Sequence, residues 1–545
     1  MQKPLPEDHG RDAQGNWGPA LVVAALLGMQ LALAWRRHLD HDEVYHLHQA
    51  WHVWQGHLPY RDVYGTHHPA FWIFLAPIFW LFEQPQSILL AARTIAWLGC
   101  VSVIVATWVL ACRLADRRHA WWAAVLVAGN PLWQHSGIEV RADIFQSFFF
   151  VTAMLTLAQG YADGSPRAFR SAGVQLAAAF AVLQKAVVCY GAVALALAPS
   201  RWRLLWQRPG QVAGEAVRLL LPLGLVIAGF HAVYTLGGSP SAYWDLSFRA
   251  NQGLWKPYPF PVDISRDFFG VAPALLVMPI VALILVRNPR LRDVAVVPGL
   301  FVVTALFALK ALHKQYYLSA WPLLAIATAA AYVSLSRKLS GVVLHVWRVV
   351  FLAGGLAVPL WYAWQLWPAA PFATHHRSLE MMELAHAVCG PDDPILDPAY
   401  EFNIAHADTG YLWMGREEIE ALERVLGRPA RSDRVREMLE KRPKLVATAQ
   451  LSERELAFAK TRYVPTHITG LFIAGAVVEG GPGRKAVVEL IAPGEYVLEG
   501  GAQLSGLELD GRPWPGRGVL GAGAHEVRWL SPPGRRTLRL TMPGD

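Results

Sequence analysis

Asp42 and Glu43 are adjacent carboxylates in the stretch "LDHDEVYHLHQAWHVWQGHLPY", residues 39–60, which also holds five histidines. A carboxylate can act as general base if a substrate hydroxyl comes within hydrogen-bond reach. At the start of a helix the same charges also suit the positive end of the dipole. The residues alone leave both readings open. His48 and His52 have i, i+4 spacing, but there is no HExxH motif and no thiolate partner. The sequence therefore assigns no metal site, and a divalent ion stays among the alternatives.

Three further groups place charge among apolar neighbours. "GIEVRADIFQSFFF" supplies Glu139, Arg141 and Asp143 at the mouth of an apolar run, and "VLQKAVV" sets Lys185 between two others. "ALKALHKQYYL" adds Lys310, His313, Lys314, Tyr316 and Tyr317. Charges at such depth are costly, and they either pair with one another or bind substrate. An Asp143–Lys185 ion pair is the plain structural reading. Together, however, the cations form a basic lining edged by carboxylates, which suits an anionic, membrane-borne ligand such as a lipid phosphate.

The elements that must position these groups are apolar. Of 545 residues, 54% are hydrophobic and 17% charged, against about 25% charged in ordinary soluble domains. Runs such as "GPALVVAALLGMQLALAW" and "AWLGCVSVIVATWVLAC" approach the ~20 residues that span a bilayer core. The fold expected is a polytopic α-helical membrane protein with spans at 19–36, 88–112, 120–136, 143–161, 172–184, 186–198, 214–236, 269–287, 294–311, 316–335 and 341–366. The polar first fifteen residues precede a run with no small-residue cleavage site, which reads as a retained first span. Residues 172–198 are too few for two full crossings and read as a pair of half-depth helices turning near Gln184-Lys185. "PAFWIFLAPIFWLF", residues 69–82, is too short to span and reads as interfacial or re-entrant.

Basic residues cluster in alternate loops around Arg113–Arg118, Arg167–Arg170, Arg201–Arg208, Arg287–Arg292 and Arg337-Lys338. By the positive-inside rule those loops are cytoplasmic. Every polar group named above then falls on the outer side. Residues 1–374 hold 28 Lys+Arg and 17 Asp+Glu, and residues 375–545 hold 21 and 24. The basic excess therefore belongs to the membrane part, and nothing in its distribution supports nucleic-acid binding. The four cysteines show no CxxC or Cys/His ligand spacing, which supports neither a zinc finger nor a disulfide framework.

The domain organisation expected is a cytoplasmic tail at 1–18, a membrane domain at 19–370, an extracytoplasmic α/β region at 371–470 and a β-rich region at 471–545. In the α/β region "EEIEALERVLG" and "DRVREMLEKRP" read as helices, and "PILDPAY" and "KLVATAQ" as strands. From 475 onward, alternating runs divided by Gly/Pro turns read as a small β-sandwich.

Over residues 20–370 the chain resembles the GT-C fold polyprenyl-phosphate-sugar glycosyltransferases of the family 39/83 type. That group includes protein O-mannosyltransferases, aminoarabinose transferases and the rhizobial lipid A galacturonosyltransferases. The resemblance rests on the "DE" pair, "GHLPYRD", "HHPAF", "RADIFQSFFF", "QKAVV" and "HKQYYLSAWP". It implies an inverting transfer from a polyprenyl-phosphate sugar to an envelope glycolipid, glycan or protein at the outer face of the bacterial inner membrane. In that reading Asp42 is the base, Glu43 helps place the acceptor and Asp143 is the second acidic site. Arg141, Lys185, His313, Lys314 and Tyr316 meet the donor phosphate, and His67 and His68 match the family's histidine pair. Thr66 and Ala70 depart from the pattern, where relatives often carry an acidic residue and a second proline. The resemblance implies no specific cofactor, and a divalent metal stays an open reading. A flippase for lipid-linked sugars and a membrane metalloenzyme are the competing readings, but a flippase should carry polar residues along its spans, and here they gather at one side.

Overall fold

A computed structural model of the chain describes residues 17–36, 39–163, 165–250, 273–286, 288–308, 314–353, 372–411, 433–499, 507–530 and 534–545, with isolated positions between 357 and 427. Two compact units emerge. The first comprises Met1–Trp35, Thr94–Leu225 and Tyr258–Ala369, and the second Arg36–Arg93, Val226–Pro257 and Ala370–Asp545.

In chain order the helices begin with α1 (Trp17–Arg36), α2 (His41–Trp54), α3 (Ala70–Leu75), α4 (Ile78–Leu81), α5 (Pro85–Leu114), α6 (Arg117–Ala128), α7 (Pro131–His135), α8 (Ala142–Asp163), α9 (Pro166–Val182), α10 (Val187–Gln207), α11 (Pro209–Leu236) and α12 (Pro240–Trp244). Pro273–Leu285, Pro289–Ala308, Trp321–Ser336 and Gly341–Leu352 follow. Each of the expected spans contains helix. Five helices among the described residues are long and apolar enough to cross a membrane, namely Trp17–Trp35, Pro85–Leu114, Ala142–Gly160, Pro209–Leu236 and Tyr317–Ser336. The chain is a multi-pass membrane protein.

Three expectations are corrected. The span 120–136 is broken between α6 and α7, because the Asn130 side chain accepts from the Leu132 and Trp133 amides at 2.9 and 3.3 Å and starts a new helix at Pro131. The loop 199–213 is helical except at Arg208, and Arg201 Nε donates to Glu215 Oε2 at 2.7 Å to tie α10 to α11. The half-depth pair is longer than expected. α9 and α10 have 17 and 21 residues, which at 1.5 Å per residue is ~25 and ~31 Å. The chain does break where expected, at a 3₁₀ turn over Gln184–Ala186.

Within the first unit the ends of the helices sort. Arg337 Nη2 donates to Asp116 Oδ2 at 3.3 Å, and Asn288 Nδ2 donates to the Leu114 carbonyl at 2.9 Å. Three of the basic loops therefore meet. Close packing between α9 and α11 depends on Gly173, where a Cβ would lie 2.9 Å from Leu219 Cα.

In the second unit the carboxy-terminal region builds two sheets. The strands are β1 (Ile395–Leu396), β2 (Leu445–Ala447), β3 (Tyr463–Pro465), β4 (Leu471–Gly480), β5 (Lys485–Leu490), β6 (Gly494–Glu499), β7 (Leu507–Leu509), β8 (Arg512–Pro513), β9 (Arg517–Leu520), β10 (Gly523–Trp529) and β11 (Gly534–Leu540). One sheet runs β1-β2-β4-β11-β6-β9 with β3 also on β4, and the other runs β5-β10-β7-β8. β1 and β2 are parallel, and β4 pairs antiparallel with β2, β3 and β11. The expected strands in "PILDPAY" and "KLVATAQ" are β1 and β2, and the helix in "DRVREMLEKRP" is Arg434–Lys441. The expected helix in "EEIEALERVLG" is helical at residues 419, 420 and 422–424, while 417, 418, 421, 425 and 426 lie outside the described residues.

Candidate active site

The acidic pair opens α2. Asp40 is the N-cap, and its side chain accepts from the Asp42 amide at 2.9 Å while its own amide donates to Glu43 Oε2 at 3.1 Å. This capping box fixes the first turn. Arg93 completes it, donating from Nε to Glu43 Oε1 at 2.9 Å and from Nη2 to Oε2 at 2.6 Å, with both side chains buried. Glu43 is thus held on both oxygens, and the half-buried Asp42 lies one residue earlier on the same turn. Sequence reading missed Arg93. Its signal was a lone guanidinium in the apolar run "LLAARTIAW".

The loop after α2 folds back over it. Gln49 Nε2 donates to the Tyr64 carbonyl at 2.6 Å, and the Thr66 amide donates to Tyr45 Oη at 2.8 Å. Tyr60 adopts φ 67°, a conformation that costs a side-chain-bearing residue. It is held there by Val63, whose carbonyl accepts the Tyr60 amide at 2.8 Å, and by Tyr411, whose hydroxyl donates to the Tyr60 carbonyl at 2.6 Å. The Tyr60 hydroxyl donates to the His67 carbonyl. Burial pushes the Tyr45 phenol up to about 12, so it stays protonated near neutrality. Trp72 Nε1 donates to His46 Nδ1 at 3.0 Å, which puts the His46 proton on Nε2.

The two members of the histidine pair differ. His68 is fully buried and packs against Phe230, Tyr243 and Phe248. His67 is half-buried, and its Nδ1 lies 3.2 Å from Thr66 Oγ1. Of the two, His67 is the one that is partly exposed.

Two turns further along α2, His48 and His52 face Asp408, which follows β1 in the chain. His48 Nε2 and His52 Nε2 lie 2.8 and 3.0 Å from Asp408 Oδ2 and 3.1 Å from each other. Burial, and then His48 beside it, pushes the His52 imidazole down to about 4. Burial works to raise Asp408, but the two histidines outweigh it and hold its carboxyl below the usual range.

In the first unit the head of α8 brings together Glu139, Arg141 and Asp143. Arg141 Nε lies 3.4 Å from Asp143 Oδ2, and Arg141 Nη1 lies 3.7 Å from Glu139 Oε2. One turn on, Gln146 Nε2 donates to Ser319 Oγ at 3.2 Å and lies 3.6 Å from Cys189 Sγ, while Ser147 and Ser319 hydroxyls are 3.0 Å apart. The start of α8, the start of α10 just after Lys185, and the 3₁₀ turn Lys314–Ser319 therefore meet around Gln146 and Ser147. Lys185 is half-buried in its own 3₁₀ turn. Lys310 and His313 lie outside the described residues, as do the side chains of Lys314 and Tyr316. Asp42, Glu43, His67 and His68 belong to the second unit, and Arg141, Asp143 and Lys185 to the first.

No protein-family model and no curated protein matches the chain. Among solved structures it is similar to ArnT from Cupriavidus metallidurans bound to undecaprenyl phosphate, with a TM-score of 0.56 and 15% identity over 84% of this chain and 98% of that one. The apo state of the same protein gives the same TM-score and identity over 84% and 97%. Arabinosyltransferase EmbB from Mycobacterium smegmatis has a TM-score of 0.42 and 12% identity over 99% and 64%, too slight a likeness to argue from. The likeness to ArnT establishes the fold. The GT-C architecture expected from the acidic-pair block is the fold of this chain.

Proposed function

We propose that this chain is an inverting glycosyltransferase that moves a sugar from a polyprenyl phosphate to a cell-envelope acceptor at the outer face of a bacterial inner membrane. The observation that carries the reading is the fold shared along nearly the whole length of an enzyme whose structure holds undecaprenyl phosphate. The site supports it with chemistry. Asp42 sits at the mouth of α2, beside a Glu43 whose oxygens are both engaged.

In the step proposed, the Asp42 carboxylate takes the acceptor hydroxyl proton as the acceptor oxygen attacks the anomeric carbon. The bond from that carbon to the phosphate oxygen breaks, its electron pair stays with the phosphate, and the configuration inverts. Arg141 and Lys185, with Lys314, offset the charge that develops on the leaving phosphate. Asp143 sets the orientation of Arg141. Glu43 acts as a positioning residue that fixes the turn carrying Asp42. In this reading the α8 head and the carboxy-terminal region are extracytoplasmic, and His67 contacts the acceptor or the sugar.

Transfer from a synthetic polyprenyl-phosphate sugar, assayed with the purified chain, tests the proposal. Asp42→Asn should lower turnover by about a hundred- to ten-thousand-fold while expression and membrane insertion stay normal. Lys185→Ala should raise the apparent donor KM roughly tenfold, which is about 1.4 kcal/mol of donor binding. Undiminished turnover in Asp42→Asn would remove Asp42 as base. In cells, deletion should cause a polyprenyl-phosphate sugar to accumulate and leave an envelope acceptor one sugar short. A lipid profile unchanged by deletion counts against the reading.

A further inference from the structure

His48, His52 and Asp408 are remote in sequence and play no part in the transfer step. Their three ligand-capable atoms nevertheless form a triangle with edges of 2.8, 3.0 and 3.1 Å. Both histidines are buried, and the Asp408 side chain is 9% exposed. Hydrogen bonding alone accounts for this poorly. If each imidazole donates its Nε2 proton to the same carboxylate oxygen, two like-oriented N–H dipoles sit side by side at 3.1 Å. A cation above the triangle would instead take a lone pair from all three atoms. Ligand atoms ~2.0–2.1 Å from a tetrahedral zinc ion are ~3.3 Å apart, so the edges need to open by only a few tenths of an ångström.

The surrounding bonds are those of a metal site. His52 Nδ1 lies 2.9 Å from His57 Nδ1, so a proton on the outer nitrogen of His52 has an acceptor while Nε2 turns its lone pair inward. The other carboxylate oxygen, Asp408 Oδ1, accepts from Asn403 Nδ2 at 3.2 Å. The ring of His48 stacks on Trp51 at 5.8 Å and 10°. Ligand, ring plane and carboxylate orientation are all set before an ion arrives.

We propose that His48, His52 and Asp408 bind a divalent first-row metal ion of the zinc class, which fastens α2 to the segment that follows β1. Two imidazole nitrogens and one carboxylate oxygen favour zinc over magnesium or calcium, which demand oxygen ligands. The site tethers rather than catalyses. It holds the helix whose first turn carries Asp42, and it stands whether or not the transferase reading does.

The test uses the full-length chain in detergent, stripped with a chelator and then dialysed against zinc or magnesium. Inductively coupled plasma mass spectrometry should find about one zinc ion per chain, no bound magnesium, and a melting temperature several degrees higher with zinc. Asp408→Asn and His52→Gln should each lose most of the bound zinc and the whole of the thermal shift. His525→Gln, in β10, should keep both. Cobalt in the unaltered chain provides a reading that needs no variant, since a tetrahedral N/O site gives visible d–d absorption that zinc removes at one equivalent. Failure of the stripped wild-type chain to take up zinc overturns the proposal. So does equal uptake by Asp408→Asn, or a cobalt spectrum without the tetrahedral bands. Activity is not the readout, so failure here leaves the role of Asp42 to its own experiment.

Discussion

Arg93 and Glu43 form a bidentate ion pair from which water is excluded. Removing one member of such a pair strands a charge, which costs about 3–5 kcal/mol, whereas replacing both by apolar or neutral groups of similar size is far less damaging. Arg93→Ala should therefore lower the melting temperature of the purified chain by many degrees, and Glu43→Gln combined with Arg93→Met should recover most of the loss. Differential scanning fluorimetry in detergent measures both. If Arg93→Ala melts with the wild type, the pair contributes nothing and Glu43 is free for another role. The difference between the two carboxylates was not legible in the sequence. "DE" at a helix start looks the same whether each acid is dipole partner, base or ion pair, and the partner that decides lies 50 residues away. Asp408 escaped for the same reason. The i, i+4 histidines were visible, but their third partner stands 356 residues beyond His52.

At the scale of elements, β4 is the strand on which the carboxy-terminal region depends. It pairs with β2 and β3 on one side of the chain order and with β11 on the other, so a single sheet passes through residue 470. A chain ending at Gly470 keeps only the short parallel pair of β1 and β2 and leaves β3 without its neighbour. Two strands of that length do not hold together in water. Truncation after Gly470 should therefore expose residues 372–470 to trypsin at rates well above those in the full-length chain. Equal protection in the two chains would mean that 371–470 folds alone. The individual strands were legible, because alternation and Gly/Pro turns mark them locally. Their joining was not, since sheet order depends on pairings over long sequence separations that periodicity does not encode. Helix limits failed in a related way. Asn130 ended a span that looked continuous, because its capping amide competes with the helix over three residues only.

For the whole molecule, the transfer reading requires that the groups outside the basic loops share one compartment. Within the first unit the contacts sort as that requires. Loops with Asp116, Asn288 and Arg337 meet each other, and the α8 head meets the turns near Lys185 and Ser319. Apolar runs and arginine clusters carried this much in the sequence itself, since the bilayer imposes span length and charge asymmetry directly. Cysteine labelling extends the question to Asp42. Cys100, Cys189 and Cys389 are buried and Cys112 is half-buried, so a Cys112→Ser background should react little with a membrane-impermeant maleimide. On that background Asp42→Cys and Lys185→Cys should label in intact spheroplasts, and Arg337→Cys only after permeabilisation. A base and the phosphate it helps release must meet the same headgroup. Labelling of Asp42→Cys and Lys185→Cys from opposite sides of the membrane would therefore leave the transfer step without a site, whatever the fold.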